Sequence, residues 1–112
     1  MPRVFVVQEP TKYDHEKQMR VPIYDLSPAA EYGEIVVMLP SGTLAQDTNG
    51  VIDDLKLYLD KCGPNDYLLC AGNPTAIAMA AAIMADNTEG LLQTLEWDRK
   101  GSRYIVRRAQ VW

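Results

Sequence analysis

Apolar and polar positions alternate in blocks along the chain, and the blocks predict a strand–helix order. Arg3–Val7 (RVFVV) is β-branched and apolar between Pro2 and Glu9-Pro10, as an interior strand should be. Residues 9–32 show no long periodicity and read as a long polar loop, with Val21-Pro22-Ile23-Tyr24 at most a short extended piece. Its end predicts a one-turn helix over 28–32. Ser27 is a good N-cap, Pro28 suits the first helical position, Glu31 favours the first turn and Gly33 can close it. Glu34–Leu39 (EIVVML) is the second strand, stopped by Pro40-Ser41-Gly42.

From Val51 to Lys61 the apolar residues Val51, Ile52, Leu55, Tyr58 and Leu59 recur at helical spacing. Asp53, Asp54, Lys56, Asp60 and Lys61 lie opposite, and Gly63-Pro64 ends the helix. Tyr67–Ala71 reads as a buried third strand. Gly72-Asn73-Pro74 is a tight turn, and Pro74–Ala85 is a helix without a polar face, expected to be buried nearly all round. Leu91–Trp97 and Arg103–Val111 flank a glycine-containing turn and predict an antiparallel hairpin. The fold class that follows is α/β: a single domain spanning 1–112, a mixed sheet, two main helices and a C-terminal hairpin.

Composition agrees with that picture. A chain of 112 residues suits one domain, and 47% apolar with 23% charged residues is ordinary for a globular protein. The longest apolar run, Ala76–Ala85, falls short of the ~18 residues a membrane span needs. The opening MPRVFVVQEP lacks the pattern of a signal peptide, so a cytosolic location is expected. Cys62 and Cys70 form no CxxC pair, and His15 is the lone histidine. The expectation is two reduced cysteines acting as small hydrophobes, no metal and no cofactor.

Charge separates along the chain. Residues 25–98 carry twelve acids and only Lys56 and Lys61 as bases, whereas residues 99–112 carry five bases and no acid. An acidic body with a basic C-terminal edge suits a protein partner or self-association more than wholesale nucleic-acid binding.

Candidate chemistry falls in three places. Gly72, Asn73 and Thr75 surround the start of the second main helix, where exposed N–H groups can hold a phosphate or carboxylate. The plainer reading is a glycine turn with an asparagine cap. The Ala-rich helix itself is either a core helix or a core helix that also meets a second subunit in a homodimer. In the C-terminal hairpin, Arg99, Lys100, Arg103, Arg107 and Arg108 accompany Tyr104 and Trp112. Such a mixture can contact single-stranded nucleic acid or a protein, or simply guard a sheet edge. Catalysis has thin support. His15 stands alone, nothing sets the separation of Asp14, Glu16 and Asp25 from Tyr13 and Tyr24, and Ser41-Gly42-Thr43 lacks a nucleophile elbow.

Four segments carry a resemblance: Arg3-Val4-Phe5-Val6-Val7-Gln8-Glu9-Pro10; Tyr24-Asp25-Leu26-Ser27-Pro28-Ala29-Ala30-Glu31-Tyr32-Gly33; Asp66-Tyr67-Leu68-Leu69 with Gly72-Asn73-Pro74; and Leu95-Glu96-Trp97-Asp98-Arg99. Together they resemble small uncharacterised proteins of tailed bacteriophages. The resemblance implies a viral accessory protein in the host cytoplasm and assigns no site residues. The leading expectation is a non-enzymatic protein that binds a host or viral macromolecule through Gln8–Gly33 and the basic hairpin. The rivals are a small anion or nucleotide domain using Gly72–Thr75, and single-stranded nucleic-acid binding by the hairpin.

Overall fold

The computed structural model describes residues 2–23 and 25–112; Tyr24, one end of the expected extended piece, lies outside them. The strands are β1 (Arg3–Gln8), β2 (Thr11–Asp14), β3 (Met19–Pro22), β4 (Glu34–Leu39), β5 (Tyr67–Leu69), β6 (Leu91–Asp98) and β7 (Arg103–Gln110). The helices are α1 (Thr48–Leu59) and α2 (Pro74–Asn87), with a 3-10 turn at Ser27–Glu31. Five strands form one sheet in the order β4-β1-β5-β6-β7. The first three pairings are parallel and β6–β7 is antiparallel, so the sheet is mixed, as expected of this α/β chain.

The connections explain the layers. β4–α1–β5 and β5–α2–β6 advance in one direction across the sheet. Right-handed crossovers therefore put both helices on the same face. There Phe5, Val7, Leu55, Leu59, Leu68, Ala80 and Met84 form the larger core. β1 to β4 runs the other way, so its 3-10 turn lies on the opposite face. That face buries Val4, Val6, Ala29, Leu69, Leu95 and Tyr104. β1 is central and covered on both sides, which is why its sequence is a continuous apolar run rather than an alternation. A buried carboxylate pins its start. Asp66 accepts hydrogen bonds from the Arg3 backbone N–H (2.8 Å), the Arg3 guanidinium (3.3 Å) and Gly63 N–H (2.8 Å).

Five expectations change. Residues 11–22 are not loop but a hairpin, β2–β3, with Tyr13 opposite Arg20. Its turn is set by Asp14, whose carboxylate accepts from the N–H groups of Glu16 and Lys17, and by Gln18 at φ 53°. The short helix spans 27–31, and Ser27 is not its side-chain cap. Instead Asp25 accepts from Ser27 N–H and Oγ, which holds the Asp25 carboxyl below its usual range. Gly33 is extended rather than left-handed; it is needed because a Cβ there would lie 2.4 Å from Pro2 O. β5 ends at Leu69, which leaves Cys70 exposed beyond the strand.

The last change concerns α2. It buries Ala76, Ala80, Met84 and Ala85, but Thr75, Ala78, Ala82 and Asp86 form an exposed stripe. Alanine methyls cost little in water, so the outer face of α2 makes no demand for a second subunit.

Candidate functional site

β1, β4 and β5 all end on one side of the sheet, and the connections leaving the parallel neighbours β1 and β5 run in opposite directions across it. Open α/β sheets bind ligands at such a reversal. Gln8, at the end of β1, is 5% exposed and fully engaged. Its Nε2 donates to Pro40 O (3.0 Å) and Gly42 O (2.9 Å), and its Oε1 accepts from Asn73 N–H (2.9 Å). One buried amide thus ties three strand ends together. Gly72 is indispensable beside it, because φ is +109° and a Cβ would sit 2.4 Å from Gln8 Cβ.

The start of α2 is equally engaged. Asn73 Oδ1 accepts from Thr75 N–H (2.8 Å) and Ala76 N–H (3.4 Å), while Ile77 N–H donates to Asn73 O. An anion at Gly72–Thr75 has to displace this cap to reach those donors. A hollow of about 360 Å³ opens in front of it, lined by Gln8, Gly42, Gly72 and Asn73 below and by Thr11 and Arg20 above.

The upper wall belongs to the β2–β3 arm. Among the described residues, these two strands pair only with each other. Alternation puts Thr11, Tyr13, Arg20 and Pro22 on one face and Lys12, Asp14, Met19 and Val21 on the other. Arg20 donates from Nε to Thr11 Oγ1 (2.8 Å) and from Nη2 to Thr11 O (3.1 Å). The arm leaves three large apolar residues in water: Tyr13 is 48% exposed, Met19 55% and Ile23 54%. Tyr13 makes an edge contact with His15, centroids 4.9 Å apart.

The basic hairpin does not form one patch. The β6–β7 register sets Arg103 and Arg107 on the helix-bearing face and Arg108 on the other. Arg107 pairs with Glu96, which raises its pKa further. Arg108 Nη1 donates to Gln93 Oε1 (3.0 Å). Tyr104 is buried, with its ring edge-on to Trp97 (4.9 Å) and its carbonyl accepting from Tyr32 OH (2.9 Å). Arg99 and Lys100 occupy the turn at one end. The exposed Trp112 lies at the other end against Gly90. Tyr104 is thus buried within the fold, and the other hairpin candidates are spread over two faces and two ends.

Among the described residues, no group of three His, Cys, Asp or Glu side chains could hold a metal. Desolvation, with Asp66 near Cys62 and Glu96 near Cys70, pushes both thiols up, so they stay protonated at neutral pH. No described helix is long and apolar enough to cross a membrane.

Sequence reasoning singles out Asn73 and Gly72, but reaches Gln8 and Arg20 only as members of the Gln8–Gly33 segment, with no individual role. A glutamine ending an apolar strand has no signature until its partners are known. The arm had a faint one: Pro10 and Pro22 bracket two short segments that each contain a β-former, Tyr13 and Val21.

Neither curated proteins nor solved structures match the chain. A family model described as Phage Pam3 gp32-like protein matches residues 2–110. With nearly its whole length matched, the chain belongs to the phage Pam3 gp32-like protein family.

Proposed function

We propose that this phage protein is a non-enzymatic accessory protein of the host cytoplasm that binds another protein, of host or virus, chiefly through the β2–β3 arm. One observation carries the reading. The arm is a two-stranded ribbon without extensive packing on the rest of the fold, yet it holds Tyr13, Met19 and Ile23 in water. A lone two-stranded ribbon is marginal on its own, and exposed large apolar residues at its tip and root are what a protein partner would cover. Lys12, Lys17 and Arg20 around them add charge for orientation. The hairpin tip, with Arg99, Lys100 and Arg103, is a second contact surface.

The test is a pull-down from lysate of infected bacteria with three baits: wild type, a Tyr13→Ser/Met19→Ser arm variant and an Arg107→Gln/Arg108→Gln variant. The reading predicts a protein retained by wild type and lost from the arm variant. Equal recovery by wild type and arm variant, or no recovery by any bait, contradicts it.

The hollow of about 360 Å³ under Arg20 favours one alternative, a small anion or nucleotide near Gly72, Asn73 and Thr75. Thermal shifts with nucleotides at about 1 mM would detect even weak sites through mass action. No shift with any nucleotide removes this alternative.

A further inference from the structure

The two edges of the sheet are chemically unlike. β7, at one edge, carries Arg103, Arg107 and Arg108. Charged residues of this kind are how native sheets keep an open edge from pairing. β4, at the other edge, is paired by β1 on one side only. Between Glu34 and Pro40 it reads Ile35-Val36-Val37-Met38-Leu39, with no charge and no proline. Val37 is 38% exposed, and Ile35 and Val36 are only half-buried. A strand with this sequence and one unpaired side is incomplete as a free edge.

We infer that β4 pairs with β4 of a second copy of this chain, antiparallel about a two-fold axis near Val36–Val37, and so joins two five-stranded sheets into one. Three features select a second copy as the occupant. The first is charge. Glu34 is the sole charged residue of the strand and stands at its end. Antiparallel pairing sets each Glu34 near Leu39 of the partner subunit. The two carboxylates are then about 17 Å apart along the strands, beyond the Debye length of about 10 Å at 0.1 M salt. A parallel pairing would set Glu34 beside its own copy.

The second feature is length. Pro40 follows the strand and has no N–H, so the new ladder ends where the apolar run ends. The third is closure. Once the β4 edges are joined, the shared sheet ends in β7 on both sides, and both of those edges are guarded by arginine. Assembly therefore stops at two copies rather than growing into a fibre. None of this depends on what the arm binds.

Sedimentation of the full chain at rising concentration tests the inference. The expected result is a species of twice the 12.5 kDa of one chain. Val37→Lys, at an exposed position beside the axis, brings two ammonium groups together and should raise the dissociation constant about tenfold or more. Val106→Lys, equally exposed on β7, should leave it unchanged. Hydrogen exchange on the wild type gives a readout that needs no variant: amides of β4 lose protection on dilution while those of β7 do not. A wild type that stays monomeric at every concentration overturns the inference. So does a dimer indifferent to Val37→Lys, or protection in β4 that ignores dilution.

Discussion

Gln8 and Gly72 act as one unit. Placing any side chain at Gly72 both strains a positive φ and strikes Gln8 Cβ at 2.4 Å. Gly72→Ala should therefore destabilise the protein by about 2 kcal/mol or more, read by denaturant unfolding. Gln8→Leu keeps most of the volume but strands the Pro40 and Gly42 carbonyls and Asn73 N–H. Its cost should be about 2–3 kcal/mol on the same assay. A loss below about 0.5 kcal/mol for both variants would mean that this junction does not hold the strand ends.

The thiols supply a pH dependence. Cys62 and Cys70 both have raised pKa values in the folded chain, mainly from desolvation. The folded state therefore holds these protons more tightly than the unfolded chain does. Their contribution to stability is intact below the ordinary thiol pKa of about 8.5 and is lost as pH rises through the folded values. Stability should fall between neutral and alkaline pH, and Cys62→Ala/Cys70→Ala should flatten that fall. Cys70, though exposed, should react with a thiol reagent at neutral pH more slowly than a cysteine in a short peptide.

At the scale of elements, the strongest periodic segments were legible and the junctions were not. β4 spans Glu34–Leu39, the same bounds that the sequence pattern predicts. The apolar stripe of α1 starts at Val51, but the helix begins at Thr48, because Asp47 caps it by accepting from Gly50 N–H, and a cap followed by Asn49-Gly50 looks like a turn. α2 looked buried all round because alanine reads as apolar on either face, yet Ala78 and Ala82 face water. Ala82→Lys should accordingly change stability by no more than about 0.5 kcal/mol, while Ala80→Lys, on the buried side, should prevent folding. The arm was hidden because its strands have four residues each and bury almost nothing, so no apolar stripe marks them. Replacing 11–22 by a short turn should leave the main sheet folded with cooperative unfolding, since its core draws on no residue of the arm.

At the scale of the molecule, a flat body with a projecting ribbon spans 46 × 37 × 22 Å. Its radius of gyration of 14.1 Å exceeds the roughly 13 Å of a compact chain this long. The candidate surfaces lie apart: the arm and the hollow beneath it at the carboxyl ends of β1 and β5, the arginines along β7 at one edge, and apolar β4 at the other. The charge imbalance along the chain foretold a basic edge, but only the register shows that Glu96 and Gln93 already engage Arg107 and Arg108. The proposed contact therefore rests on the arm, where Tyr13, Met19 and Ile23 are exposed.

Photo-crosslinking from the arm tests that claim most directly. A photoreactive phenylalanine analogue is placed at position 13, at position 19 or, as a control, at the exposed Leu57 on α1, and irradiated in lysate of infected bacteria. The account predicts one discrete protein adduct from positions 13 and 19 and none from 57. No adduct from the arm, or the same adduct from all three positions, contradicts it.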